Sequence, residues 1–177
     1  MGKRLLPCFL ALALLLTACA PAASSQADLT AQQVLEAALA ACPDADDSQL
    51  RTLSQEELTD YIPALYGLEA GQWTDAAVAA QEGMSAFEVG VLLLAEDTDG
   101  QAARESLDAY RAGRQGDFTG YAPDQAALAE QGQVLPMDRY LVLLICQDPD
   151  SAAAAVEALL AGEAVAVFSP SDPPAEE

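Results

Sequence analysis

The segment from Tyr140 to Cys146 constrains the fold more than any other stretch of this chain, because all seven of its residues are apolar. A run without a polar position needs cover on both faces, as a strand inside a sheet has. Periodicity alone does not distinguish such a strand from a buried helix. We predict a strand here, in a sheet with helices packed against it.

Two further segments have the alternation of β-strands, from Trp73 to Gln81 and from Phe87 to Ala95. In the second segment, every other residue from Phe87 to Leu93 is a large apolar one, so these side chains share one face. The residues Glu82-Gly83-Met84-Ser85 between the two segments suit a hairpin connection. We therefore expect a pair of antiparallel strands.

Capping boxes mark the starts of the first two helices. Thr30 with Gln33, and Ser54 with Glu57, have the spacing at which each side chain bonds the backbone N–H of the other residue. Pro63 ends or kinks the second helix, because proline has no N–H to donate. Both helices precede the predicted hairpin.

The longest predicted helix runs over residues 99–114, with Asp99 at its start and Arg111 and Arg114 in its last turn, as the helix dipole favours. A short helix follows from Pro123 to Glu130. The last helix begins after a cap at Asp150 or Ser151 and ends at Gly162.

The predicted fold class is α+β, with N-terminal helices followed by a mostly antiparallel sheet with packed helices. After the N-terminal helices we predict a β-hairpin, then a helix, then either a single strand or a second hairpin, and a final helix.

The N-terminal segment is typical of a bacterial lipoprotein signal. Lys3 and Arg4 precede an apolar run from Leu5 to Leu16, and the small residues Thr17 and Ala18 precede Cys19. The alternatives are an ordinary signal peptide or a membrane helix, but a spanning helix needs about 20 apolar residues. We expect a signal peptide over residues 1–18 and a lipid on Cys19, which would hold the protein on the extracytoplasmic face of the cell membrane.

The remaining chain divides into three parts. We predict a flexible tether over residues 19–28, a single domain over residues 29–168, and a disordered, acidic, proline-rich tail over residues 169–177.

Composition excludes several kinds of chemistry. The chain has no histidine, and its one lysine lies in the predicted signal peptide, so Ser-His-Asp and Cys-His catalysis, Schiff bases and imidazole metal sites are ruled out. Asp97-Thr98-Asp99-Gly100 resembles the start of a calcium loop, but Ala102 and Asp108 stand where that loop needs Gly and Glu. We predict no metal and no cofactor. Acid/base catalysis by paired carboxylates stays open.

The charge of the mature chain limits its partners. After residue 18 there are five arginines against 28 acidic residues, which is a net charge of −23. Such a chain repels nucleic acid, so we predict no nucleic-acid partner, whereas cations and basic protein segments stay open.

Two groups of side chains are candidate sites. Cys42 and Cys146 could form a disulfide outside the cell, or could be buried free thiols. Arg104, Arg111 and Arg114 share one side of the longest helix and could bind an anion, although pairing with the protein's own carboxylates is the simpler interpretation.

The aromatic residues Tyr61, Tyr66 and Trp73 could form a platform for a sugar or peptide. Their apolar neighbours favour a place in the core.

Several short motifs come in a distinctive order: Leu65-Tyr66-Gly67, an apolar strand that begins with Glu88, a helix with arginines, Tyr121-Ala122-Pro123-Asp124, and an apolar strand before an alanine-rich helix. In this the chain resembles a family of small bacterial lipoproteins of Gram-positive type that carries a domain of unknown function. The resemblance covers Leu50 to Leu160 and implies a lipid-anchored extracytoplasmic domain. It implies no activity and no functional residues.

The sequence therefore predicts a noncatalytic, lipid-anchored binding or accessory module of the cell envelope, whose partners are the membrane, through Cys19, and an envelope protein of unknown identity. The alternative is a carboxylate-dependent hydrolase of the cell envelope.

Overall fold

The computed structural model describes residues 29–46 and 48–162. The predictions for the signal peptide, Cys19, the tether and the tail over residues 169–177 lie outside the described residues.

The described residues contain five α-helices and five strands. The helices are α1 (Ala31–Ala40), α2 (Gln55–Tyr61), α3 (Gly100–Phe118), α4 (Pro123–Gln131) and α5 (Pro149–Leu160), and a π-helical turn, Ile62–Tyr66, follows α2 directly. The strands are β1 (Leu50–Thr52), β2 (Trp73–Gln81), β3 (Glu88–Leu94), β4 (Gln133–Met137) and β5 (Tyr140–Ile145).

The strands form one sheet in the order β1-β2-β3-β5-β4, and all neighbouring strands are antiparallel. Two hairpins, β2–β3 and β4–β5, are joined in the sheet through β3 and β5, with α3 and α4 between them in the chain. The predicted α+β class is confirmed, and so is the hairpin connection over residues 82–85.

Helices cover both faces of the sheet, which explains why β5 has no polar position. Val142 and Leu144 pack under α1 and α5, whereas Leu141 and Leu143 point to the opposite face, under α2, the π-helical turn, α3 and α4. Every residue of β5 is buried. The alternation of a strand thus places its side chains in two separate apolar cores.

Both predicted capping boxes are present. The Thr30 hydroxyl accepts a hydrogen bond from Gln33 N and the Gln33 side chain accepts one from Thr30 N. Ser54 and Glu57 do the same at the start of α2.

Two details of the predicted helices are wrong. Helix α3 continues to Phe118, so Arg111 and Arg114 do not lie in its last turn and do not act on its dipole. The cap of α5 is Asp148, whose carboxylate accepts from Ser151 N, and Pro149 takes the first helical position, where no N–H is needed.

Truncation of a β5 side chain tests the two-sided core. We expect Leu143→Ala to lower the free energy of unfolding by about 2–5 kcal/mol, because it leaves a cavity among fully buried side chains. Leu65→Ala is the matched control, because Leu65 is 45% exposed and its loss changes stability by roughly 0.5 kcal/mol or less. Urea unfolding of both variants measures the difference, and equal effects would contradict this placement of β5.

Candidate functional site: a buried carboxylate held by three tyrosines

Glu88 is the one charged residue that is buried within the described ranges, with 1% of its surface exposed. It is the first residue of β3 and faces the core beneath α2 and α3. A buried carboxylate is costly unless hydrogen bonds replace its water. Its surroundings are therefore the natural place to look for a specialised site.

Three tyrosine hydroxyls donate to this carboxylate. Tyr66 bonds Oε1 of Glu88 at 2.5 Å, Tyr61 bonds the same oxygen at 3.1 Å, and Tyr110 bonds Oε2 at 2.6 Å. The hydroxyls of Tyr61 and Tyr110 are themselves 3.2 Å apart. Both carboxylate oxygens thus have partners, and we call these four residues the Glu88 cluster.

The π-helical turn places the Tyr66 side chain in the cluster. Pro63 lacks the N–H that would continue the α-helical pattern. Gly67 ends the turn in the left-handed conformation, at φ +69°, which suits glycine. The Ser106 hydroxyl of α3 donates to the carbonyl oxygen of Tyr66 at 2.8 Å, so α3 fixes the end of the turn.

A glycine on β3 makes room for the Tyr66 hydroxyl. Gly90 lies two residues after Glu88 and so faces the same side of the sheet. A Cβ atom at this position would lie 2.5 Å from the Tyr66 hydroxyl oxygen. The short hydrogen bond between Tyr66 and Glu88 therefore requires a residue without a side chain at position 90.

Burial sets the electrostatics of the cluster. It raises the pKa of Glu88, while the tyrosine hydrogen bonds and the charge of Arg114 lower it in part. Burial and the nearby Glu88 charge also raise the pKa of all three tyrosines, so that they stay neutral and keep their hydroxyl protons. The three tyrosines therefore remain hydrogen-bond donors to Glu88 at neutral pH.

Arg114 holds the chain that leads into β3. Its Nη2 donates to the Ser85 carbonyl at 2.9 Å, and its guanidinium lies 5.0 Å from the centre of the Phe118 ring. From α4, the Gln125 side chain accepts from Ala86 N at 2.8 Å. Both helices therefore fix the position from which Glu88 enters the sheet.

The other two arginines of the predicted stripe contact the protein itself. Arg111 donates to the carbonyls of Ala129 and Glu130, each at 3.1 Å, and Arg104 lies 3.9 Å from a carboxylate oxygen of Asp108. Anion binding by these arginines stays a prediction.

The predicted aromatic residues separate into two places. The rings of Tyr61 and Tyr66 meet edge to face, 5.5 Å apart, whereas Trp73 lies at the start of β2. Tyr66 is buried in the core, and Tyr61 and Trp73 pack against it. The role of the tyrosine hydroxyls, and that of Tyr110, was not predicted from the sequence, where the available signal was a glutamate at the start of an apolar strand.

An open cavity of about 380 Å³ adjoins the cluster. It is lined by residues of β1, α2 and the π-helical turn: Arg51, Leu53, Glu57, Asp60, Tyr61, Ala64 and Leu65. Arg51 and Glu57 form an ion pair of 2.6 Å at its edge. Hydrogen bonds from Ser54 and Arg51 lower the pKa of Glu57 to about 2, so this carboxylate is charged at neutral pH. Tyr61 belongs to both the cavity wall and the Glu88 cluster.

The two candidate cysteines lie together on the opposite face of the sheet. Cys42 and Cys146 are buried in the core under α1 and α5, and no bond joins their sulfur atoms in this structure. Their cross-linking stays a prediction at this point.

The aspartates of the calcium-like segment act locally. The Asp99 carboxylate accepts from Gln101 N and Ala102 N as the cap of α3. Within residues 29–46 and 48–162, no group of three or more acidic or cysteine side chains is placed to hold a metal ion. Over the same ranges, no helix has both the length and the apolar character that crossing a membrane requires.

Replacement of Glu88 by glutamine tests the state of the buried carboxylate. A carboxyl whose folded pKa lies above its ordinary value of 4.5 binds more protons in the folded protein, so its stabilising contribution is complete below that value. The contribution is lost as the pH rises through the folded pKa. We expect the stability of the wild type relative to Glu88→Gln to fall as the pH rises from about 4 to about 8.

Urea unfolding of both proteins across this range measures the effect. All other carboxyls are common to the two chains, so the difference isolates Glu88. A relative stability of the wild type that rises with pH would mean that the hydrogen bonds and Arg114 outweigh burial.

Comparison with known proteins identifies the domain. The model of the family described as domain of unknown function (DUF4358) matches residues 45–146, which is more than half of the chain. This range contains the whole Glu88 cluster and the adjoining cavity, whereas α1 and α5 lie outside it. Searches of curated proteins and of solved structures find no match. The chain therefore belongs to the family of proteins with the domain of unknown function DUF4358.

Proposed function

We propose that this protein is a noncatalytic, lipid-anchored binding module of the cell envelope, and that the cavity beside Tyr61 holds a segment of an extracytoplasmic protein partner. One observation carries the proposal: the wall of an open surface cavity is fixed from beneath by a buried network of hydrogen bonds. Such a wall is preorganised for binding.

The cavity has the features of a small protein-binding site. Its apolar surface comes from Leu53, from the Tyr61 ring and from Leu65, which is 45% exposed. Tyrosines are enriched among the residues that dominate binding energy. Because Glu88 and Tyr110 already hold the Tyr61 hydroxyl, its side chain loses little conformational entropy when a partner binds.

Charge indicates the chemistry of the partner. Arg51 is paired with Glu57 and lies 3.5 Å from Glu82, whereas Asp60 has no salt bridge in the described part of the chain. The edge of the cavity is therefore negative, like the mature chain as a whole. A segment with an apolar side chain flanked by lysine or arginine is complementary to this surface, and long-range attraction would speed its association.

The position of Glu88 favours binding over hydrolysis. A carboxylate-dependent hydrolase needs two carboxyl groups about 5–10 Å apart on either side of the scissile bond, one of them desolvated. Glu88 is desolvated, but three tyrosine hydroxyls already donate hydrogen bonds to its carboxylate oxygens. Only 1% of the residue is exposed to solvent. A substrate atom would have to displace Tyr61 to reach it.

The membrane anchor rests on the residues before the domain. Lys3, Arg4 and the apolar run to Leu16 have the form of an export signal, and Cys19 follows two small residues. Helix α1 begins at Ala31, so a segment of about a dozen residues separates the lipid from the domain. The domain would then present its cavity outside the cell membrane.

Replacement of the lipidated cysteine tests the anchor. We expect Cys19→Ser to abolish diacylglycerol attachment and to prevent cleavage before residue 19, because the thiol is the atom that is alkylated. Mass spectrometry of the membrane-extracted protein checks both. Cys8→Ser, in the part that is removed, is the control and should be processed normally. A wild-type chain without lipid on Cys19 would contradict the proposed anchor.

Site-specific photo-crosslinking tests the cavity. A photoreactive residue at Leu65 should capture an extracytoplasmic protein in cells, and the same residue at the exposed Ala154 of α5 should not. Asp60→Lys should reduce the yield at least several-fold because it reverses the charge at the cavity edge, whereas Asp97→Lys, exposed and outside the cavity lining, should leave it unchanged. Equal capture from positions 65 and 154, or insensitivity to Asp60→Lys, would contradict binding at this cavity.

A further inference from the structure

Cys42 and Cys146 lie in the same core although about 100 residues separate them in the chain, and Cys146 is the last residue of the matched family range. Cys42 follows α1, and Cys146 follows β5 directly. Their exposed fractions are 6% and 0%, and both residues belong to the same buried cluster under α1 and α5. The Cys42 thiol also donates to the carbonyl of Ala38 at 3.2 Å.

The backbone around both thiols is held in place from several directions. Gln147 N donates to Oδ2 of Asp44 at 2.9 Å, which joins the segment after Cys42 to the segment after Cys146. The side chain of Gln81 donates to the Asp44 carbonyl at 2.6 Å, and that of Gln131 donates to the Cys146 carbonyl at 3.0 Å. A disulfide needs two closely placed segments, and these hydrogen bonds supply them.

We propose that Cys42 and Cys146 form an intramolecular disulfide that locks α1 onto the central strands of the sheet. The proposal rests on the extracytoplasmic location proposed above, because disulfides persist outside the cell. In the final fold both thiols are buried, so the bond forms while the chain is folding.

The oxidant is the disulfide of an extracytoplasmic thiol oxidoreductase. The thiolate of one of the two cysteines attacks one sulfur of that disulfide and forms a mixed disulfide, releasing the other sulfur as a thiolate. The second cysteine, after losing its proton, then attacks the sulfur of the first and displaces the enzyme as a thiolate. Two protein thiols lose two protons and two electrons, and the oxidoreductase disulfide becomes a dithiol.

Mutual contact makes the two thiols unequal. The interaction with Cys42 lowers the pKa of Cys146, whereas the interaction with Cys146 and burial raise the pKa of Cys42.

The bond would have a mechanical role. The tether from the membrane leads into α1, which lies outside the range of the family domain and contacts β2, β3 and α5. With the disulfide, a force applied at the lipid anchor would be transmitted through the Cys42–Cys146 bond to the end of β5. It also closes a loop on the order of 100 residues, which restricts the unfolded chain strongly.

Thiol counting on the full-length protein tests the proposal. The protein is extracted from membranes, denatured, and treated with a maleimide polymer before and after reduction. We expect no modification before reduction and two modifications after it, on a monomer. Cys42→Ala should give one modification under both conditions. Two modifications of the wild type before reduction, or a disulfide-linked dimer, would overturn the proposal.

The same count separates this proposal from the proposed anchor. A lipidated Cys19 carries a thioether and cannot react, so a failed anchor leaves additional cysteines that the polymer modifies after reduction. For such a chain the test is refolding of the reduced, denatured protein in the presence of oxidised glutathione. Formation of the Cys42–Cys146 bond there, shown by peptide mapping, supports the disulfide, and mixed glutathione adducts on both cysteines overturn it.

Reduction also tests the locking of α1. We expect it to lower the melting temperature of the wild type by roughly 5–15 °C, and to expose α1 to proteolysis, because the constraint on the unfolded chain is lost. Cys42→Ala/Cys146→Ala should not respond to the reductant. An unchanged melting temperature of the wild type would overturn the stabilising role.

Discussion

The hydrogen bonds between Glu88 and three tyrosines are the interaction on which the helical layer over one face of the sheet depends. Each tyrosine comes from a different segment, the end of α2, the π-helical turn and α3, and all three meet at the first residue of β3. A buried carboxylate without these donors would be destabilising. Because the buried carboxylate needs these hydrogen bonds, the three segments must be positioned so that their tyrosine hydroxyls reach Glu88.

The same constraint connects the interior to the surface. Tyr61 is half-buried, with its hydroxyl in the Glu88 cluster and its ring in the wall of the open cavity. Two glycines make this arrangement possible in different ways. Gly90 leaves room for the Tyr66 hydroxyl, and Gly67 adopts the left-handed conformation that ends the turn carrying Tyr66. Binding at the cavity would therefore use a surface whose shape is set by the core.

The two faces of the sheet differ in how their covering helices relate to the matched family range. The face under α2, α3 and α4 belongs to the family domain and contains its polar cluster. The face under α1 and α5 is covered by helices outside the matched range and contains the two thiols.

Local chemistry made much of the fold predictable from the sequence. Seven consecutive apolar residues indicated a strand covered on both faces, and two capping boxes marked the starts of α1 and α2, because these signals act over a few residues. The predicted cap of α5 and the predicted end of α3 were wrong by two to four residues, because several acidic and small residues near each boundary are compatible with a helix terminus. The three-residue strand β1 is too short to have a pattern.

Only the tertiary structure decided the site. Tyr61 and Tyr66 were correctly expected near the core, but their hydroxyls find Glu88 across 27 and 22 residues, and Tyr110 reaches it from the other direction. No local spacing encodes such a meeting, because it depends on how α2 and α3 cross the sheet. The sequence by itself determined which segments become helices and strands, and the packing of those segments determined which polar groups share the interior.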